Sequence, residues 1–573
     1  MKHQKTLATI TTLVLAVCIG CMAIPCFAQA YDIVITNGHI IDGTGSPWYS
    51  GDVGIRAGRI AAIGDLTKAA RKRTIDAHGE VIAPGFIDML GQSEQTILVD
   101  PRQPSKIYQG ITTEVTGEGD SAAPLNDAMI EARKLNPGTL KIIPDWRTFR
   151  QYFARLEKQG IGINFASYVG ATQVRRMVLG DDDKQPTAAQ LKEMQSLVRN
   201  AMLDGAVGVS TALQYPPAPY AKTPELIALA TVASEYGGIY ATHMRSESGA
   251  LLPAIDEALL IGREAHIPVE IWHLKVAGKD NWGEMPQVVA KIDAARARGI
   301  DVTADTYAYT AWSNDLAAFI PPWAHDGGDA KMLVRLQDPA MRARIRKDML
   351  TPTTTWDNPW QEIPGPAAVL ICSVENPKLI PLQGKTLAQI AKLWGKDPID
   401  TIFDLLIQDK AATDIAVFGM SQPDVTLALQ QPWVSIDNDS EGISPEGILG
   451  QGHPHPRAYG TFPRILRKYV REDHTLTLDD AIRKFTALPA QRMRFTDRGV
   501  LKQGMWADVV IFNPATVRDV ATYAKPNQLS QGMDYVLVNG VPVIDQGKMT
   551  GKLPGKVLRG EGYVPDEGMA EKK

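Results

Sequence analysis

The chain has 573 residues, 44% hydrophobic and 22% charged, with a formal net charge of −4. That balance suits a globular protein with a large buried core and excludes a disordered, collagen-like or coiled-coil chain. Its weak acidity tells against nucleic acid or an anionic membrane surface as a partner.

Lys2 and Lys5 precede an apolar run from Leu7 to Ile24, and Phe27-Ala28-Gln29-Ala30 follows. This order of charge, apolar core and Ala-x-Ala is that of a secretory signal peptide, here residues 1–30. Export is expected, to the bacterial periplasm, with no stable membrane span left after cleavage. Pro25 breaks the apolar run, which disfavours a retained anchor. A lipoprotein anchored at Cys21 is a minor alternative. Cleavage removes Cys18, Cys21 and Cys26, leaves Cys372 without a partner, and takes the net charge from −4 to −6. The mature chain therefore relies on its core, not on disulfides.

Residues 31–80 read as a small antiparallel β module. Ile33–Ile35 and Ile40-Ile41 flank Asn37-Gly38, a strong hairpin signal, and Ala57-Gly58 marks a second turn. From about 81 to 495, apolar runs alternate with helical stretches. Ile161–Val169, Ala206–Ser210, Gly238–His243 and Val269–His273 are separated by helical patterns over 187–203, 223–236 and 251–265. This βαβα rhythm predicts an α/β fold, a (β/α)8 TIM barrel. Residues 311–375, with clustered Pro, Trp and Asp, break the rhythm and are the candidate insertion. Residues 496–565 return to short β segments separated by turns, within Ala507–Pro514 and Met533–Ile544. The two β-rich ends are expected to build one small β-sandwich. The charged tail, 566–573, is expected to be disordered.

Chemistry-bearing residues sit at the ends of the predicted strands. His243 and His273 close successive apolar runs, and barrel active sites lie at the C-terminal ends of strands. Two imidazoles there can bind zinc, although a strand-end histidine can also be purely structural. Gly117-Glu118-Gly119-Asp120 follows the strand-like Ile111–Thr116. Glu118 is either a metal ligand or a solvated loop acid. Asp437 ends Val434–Ile436 and is placed to move a proton for a metal-activated water, or to cap a turn. Asp439 takes that place if the register is off by two. His453 and His455 form a His-x-His pair, but Pro454 and Pro456 make that segment a rigid loop.

Several segments in order resemble the D-aminoacylase branch of the metal-dependent amidohydrolases, the N-acyl-D-amino-acid deacylases. They are Ala83-Pro-Gly-Phe-Ile-Asp88, Gln109-Gly-Ile-Thr-Thr113, Val207 to Pro217, Tyr240 to Glu247, Ile271 to Lys275, Asp305 to Ala311, His455 to Arg464 and Gly504 to Pro514. The resemblance implies a barrel with a β-sandwich made from both chain ends. It implies that His243 and His273 hold zinc and that Asp437 is catalytic. Tyr215, Tyr307 and Ser313 fall where members contact substrate, and Arg245 and Lys275 flank the metal histidines. Two features depart from the family. Its His-x-His pair on the first barrel strand is Leu90 and Gln92 here, and its cysteine ligand is replaced near Glu118. A carboxylate is a competent zinc ligand.

The resulting expectation is a hydrolase of linear amides, deacylating N-acyl-D-amino acids with one zinc per chain. Glu118, His243 and His273 hold the metal, and its hydroxide attacks the carbonyl. Gln92 donates a hydrogen bond to substrate or water. The partner is a small N-acyl amino acid or similar amide. Alternatives are a catalytically inactive binding protein and a hydrolase of dipeptides or cyclic amides.

Overall fold

The computed structural model describes residues 30–565, so the expected signal peptide up to Gln29 and the expected disordered tail from 566 lie outside the described residues. Eight parallel strands form the centre: β1 Phe86–Asp88, β2 Ile111–Thr116, β3 Asn164–Ser167 with its continuation Val169–Gly170, β4 Gly208–Ala212, β5 Ile239–His243, β6 Val269–Ile271, β7 Val302–Thr306 and β8 Val434–Ile436. β1 pairs β2 and β2 pairs β3. The continuation of β3 pairs β4, and the ladder runs on through β8. A parallel bridge between Gly91 and Ser440 closes β8 against β1. All residues of these strands are buried, as expected when a barrel core fills one face and helices cover the other.

The covering helices carry their own start and stop signals. Ala188–Asp204 begins with a Thr187/Gln190 capping box and ends at Gly205, which is left-handed. Its Met194, Val198, Ala201 and Met202 recur at helical spacing and are the buried stripe. Among the described residues, no helix is long and apolar enough to cross a membrane.

The insertion between β7 and β8 extends further than its Pro- and Trp-rich start. A three-stranded antiparallel sheet joins Trp312–Asp315, Val369–Ser373 and Asp414–Val417, with four helices of eight or more residues among them. Its last strand therefore lies well past residue 375, because Asp414–Val417 forms the middle of that sheet.

The chain ends meet in one nine-stranded sheet. Val81–Pro84 pairs antiparallel with Val509–Phe512 and parallel with Tyr31–Ile40, stitching the two halves together. Ile33, Ile35, Val53, Ile55, Val509, Ile511 and Leu537 share its core. Phe86 on β1 packs against Phe462, Phe485 and Phe512, with ring centroids 4.9–6.3 Å apart, and so locks barrel to sheet. Beyond the sheet, residues 554–564 cross the base of the barrel. Leu558 donates to the Phe165 carbonyl, Gly560 to Gly205 and Val564 to Leu203.

Candidate metal and active site

Glu118, His243 and His273 converge at the C-terminal mouth. Glu118 Oε1 lies 3.1 Å from His243 Nδ1 and 3.3 Å from His273 Nε2, and the two ring nitrogens are 3.0 Å apart. Three donors bonded to tetrahedral zinc at about 2.1 Å would stand about 3.4 Å from one another. The triangle is thus slightly contracted from that arrangement, and the residues fit a zinc ion. Among the described residues this is the group of metal-competent side chains that comes together.

The local sequence explains how each donor reaches the mouth. β2 ends at Thr116, and Gly117 and Gly119 flank Glu118 with φ of +101° and +67°. A Cβ on Gly117 would lie 2.6 Å from the Tyr168 carbonyl, and one on Gly119 would lie 2.6 Å from Ala212 Cβ. Only glycines let this loop fold so tightly against β3 and β4. His243 is the last residue of β5. His273 follows β6 with φ +36°, an uncommon value for a side-chain-bearing residue, and its N–H is held by Asp305 Oδ1 at 2.5 Å.

Neighbours set the tautomers. Gln214 Nε2 donates to Asp357, so its Oε1 accepts from His243 Nε2 at 2.9 Å. That leaves His243 Nδ1 as the free lone pair facing the triangle. Glu247 Oε1 and Lys275 Nζ lie 2.9 Å and 2.7 Å from His273 Nδ1, and Nε2 faces inward. Carboxylates and amides behind histidine ligands orient metal sites in this way. Burial alone would raise Glu247, but Lys275, His243 and His273 hold it well below the usual carboxylate range. Glu118 is held low as well, since its two histidines outweigh burial. Burial and Lys275 depress His273, yet Glu247 and Glu118 together lift it to about 10.

A cavity of about 160 Å³ opens onto this triangle. It is lined by Gln92, Tyr215, Lys275, Tyr307, Ser313 and Asp439. A second cavity of about 810 Å³ shares Gln92, Glu118 and Tyr215 with the first and runs out past Trp146 and Met129. The donor triangle therefore sits where a small and a large chamber meet. The Tyr215 ring lies 4.8 Å from that of His243. Lys275 Nζ is 2.6 Å from Glu247, and Ser313 Oγ donates to the Ile415 carbonyl at 2.7 Å.

Three sequence expectations meet a different geometry, the third being Gln92, whose Nε2 donates to Glu118 and Asp439 and so keeps no N–H for substrate or water. Asp437 does not line either chamber. It is fully buried, and neither of its oxygens meets an N–H donor. Burial first, then the charge of Asp439, push its carboxyl up to about 8. Its partner is Asp305, which burial and the charge of Asp437 push well above the usual carboxylate range, so Asp305 keeps its proton and donates it to Asp437. Asp439, two residues on, lines the small chamber instead, with φ +43°. Gln92 Nε2 donates to its Oδ1 at 3.0 Å, and Arg457 Nη1 is 2.7 Å from its Oδ2. The second correction concerns Arg245. Its guanidinium turns away from the mouth to Glu257 and the carbonyls of Pro219 and Ala221.

Other candidates resolve into structure. Leu90 is buried with Met89, Val115 and Ala166. Asp120 pairs with Arg176 at 2.5 Å. His455 lies 2.9 Å from the Tyr523 hydroxyl, and His453 2.5 Å from the Tyr523 carbonyl. Glu247, Gln214 and Asp357 were missed. Glu247 follows His243 by four residues in Met-Arg-Ser-Glu, and no periodicity marks it.

Known proteins now bear on the site. Residues 371–544 match the profile of the Amidohydrolase family. An N-acyl-D-glutamate deacylase of Alcaligenes xylosoxydans xylosoxydans is 36% identical over 94% of this chain and 98% of its own length. A D-aminoacylase of the same organism is 35% identical over 93% and 98%. Among solved structures, an N-acyl-D-glutamate deacylase of Bordetella bronchiseptica, complexed with zinc and a phosphonate mimic of the tetrahedral intermediate, superposes with a TM-score of 0.77 at 34% identity. It covers 93% of this chain and 100% of its own. A D-aminoacylase studied for its binuclear metal center, with one-metal activation and second-metal attenuation, gives 0.76 at 34% identity over 92% and 100%.

Proposed function

This chain belongs to the N-acyl-D-amino-acid deacylases of the amidohydrolase superfamily, and from that premise we propose that it removes the acyl group of N-acyl-D-amino acids with one zinc ion held by Glu118, His243 and His273. The observation that carries this reading is the triangle of three donors 3.0–3.3 Å apart at the barrel mouth. Zinc, when bound, supplies Lewis acidity and a water acidified to a pKa of about 7.

The chain's own groups do the rest. Asp439 is the carboxylate of the small chamber that lies against the donor set, through Gln92 and Glu118. It accepts the proton of the attacking water and returns it to the leaving amine. Burial raises the pKa of this carboxyl, and Arg457 at 2.7 Å opposes that rise. Lys275 is the cation of the small chamber and receives the substrate carboxylate, with Tyr307 and Ser313 lining the same chamber. Tyr215, at the junction of both chambers, flanks the scissile amide. The large chamber leaves room for acyl groups well beyond acetyl. The amino-terminal pattern of Lys2, Lys5, the apolar run and Ala28-Gln29-Ala30 supports export.

The test combines metal analysis with hydrolysis of N-acetyl-D-amino acids. About one zinc per chain and measurable deacylation are expected. His243→Ala should lose the zinc, and Asp439→Asn should keep it while kcat falls by about 10²-fold or more. A wild-type chain that binds no zinc, or an Asp439→Asn variant of unchanged rate, would sink the reading.

A further inference from the structure

We propose that Gln92 is a positioning residue whose side-chain amide clamps Glu118 to Asp439, and that this clamp closes the mouth to a second divalent cation. The inference rests on the zinc and Asp439 roles just given.

Gln92 Nε2 lies 2.8 Å from Glu118 Oε2 and 3.0 Å from Asp439 Oδ1. Both partners are carboxylate oxygens, which only accept, so the orientation of the amide is decided by its chemistry. Both N–H bonds are spent on them. Each carboxylate is then divided in function. Glu118 turns Oε1 to the two imidazoles and Oε2 to the clamp. Asp439 gives Oδ1 to the clamp and Oδ2 to Arg457. Two buried anions this close repel each other unless something positive stands between them. A second metal ion would supply that charge. The amide supplies two partial positive charges without one.

The backbone keeps the clamp in register. Asp439 N donates to the Leu90 carbonyl at 2.9 Å, and Gln92 N donates to that of Ser440 at 3.2 Å. Residues 90–92 and 439–440 thus run side by side just above β1 and β8, and the amide cannot drift from its two partners.

The position of Leu90 supplies no donor for another cation. Leu90 is wholly buried among apolar side chains. The acids below it are already engaged, because Lys106 Nζ, itself fully buried, lies 2.7 Å from Asp88 and 3.2 Å from Glu114 and donates to the Ser440 carbonyl. A fixed ammonium at this depth also repels an incoming dication.

The experiment titrates zinc into the full-length mature protein, reading stoichiometry by calorimetry and elemental analysis alongside deacylation of an N-acetyl-D-amino acid. The wild type should saturate at one zinc and keep its rate in excess zinc. Gln92→Met keeps the volume and removes both donors. It should still bind one zinc with KM changed by less than about threefold, while kcat falls about tenfold or more as Asp439 loses its register. Gln92→Glu adds a third carboxylate and should take up a second zinc. Two zinc ions in the wild type, or full kcat in Gln92→Met, would overturn the clamp and leave the deacylase reading standing. Gln92→Glu with one zinc and wild-type kcat would overturn it as well. No zinc in the wild type would overturn both.

Discussion

At the scale of single residues, the mouth works because each reactive atom has a neighbour that leaves it no other orientation. Gln214 and Glu247 each take one ring nitrogen of a histidine and so present the other to the cation. Asp437 and Asp439 show how much a two-residue step matters. The apolar run that marks β8 stops at Ile436, so Asp437 is the first acid a sequence pattern offers. The paired backbone continues to Ser440, however, and that continuation carries Asp439 into the chamber and leaves Asp437 beneath it. Asp437→Asn should therefore keep kcat within about threefold, because amide and protonated acid have the same shape and the residue touches no substrate. Steady-state kinetics beside Asp439→Asn decides the matter, and a loss as large as that of Asp439→Asn would return the role to Asp437. His243 and His273 stood out as strand-end residues, whereas Glu118, in a Gly-rich loop that reads equally as solvated, became a candidate only through the family's cysteine position. Glu247 and Gln214 were not legible, because orientation by hydrogen bonding leaves no period in the sequence.

At the scale of elements, the barrel was readable from alternation alone, since parallel strands buried on both faces become continuous apolar runs. The limit of the insertion was not. Asp414–Val417 looks like any short apolar run until Trp312–Asp315 and Val369–Ser373 flank it. The junction of barrel and sheet depends on a knot of rings around Phe86. Truncating it removes contacts to Phe462, Phe485 and Phe512 together. Phe86→Ala should cost about 3–5 kcal/mol in denaturant unfolding, the usual loss for a buried phenylalanine. A loss under about 1 kcal/mol would mean that the junction relaxes around the gap.

At the scale of the whole molecule, the first strand begins where the signal peptide would end. Tyr31 N donates to the Ala70 carbonyl at 2.8 Å, so the sheet starts at the residue after Ala30. If the chain is exported and cut there, mass spectrometry of the periplasmic fraction should find Tyr31 at the amino terminus. A cytoplasmic protein that retains Met1, or a lipid on Cys21, would refute that placement.

The sheet made from both chain ends sets an order of events. Val81–Pro84 has Tyr31–Ile40 on one side and Val509–Phe512 on the other. A chain emerging from its amino terminus forms the first neighbour early and waits more than 400 residues for the second. Until then it presents an open strand edge, the kind of surface that pairs with other chains. Contacts this distant in sequence also close slowly. If the chain is exported, the delay suits passage through a membrane pore, where the sheet cannot be completed before Val509–Phe512 and the strands after it have followed. The same feature would leave a chain truncated before Val509 with that edge permanently bare.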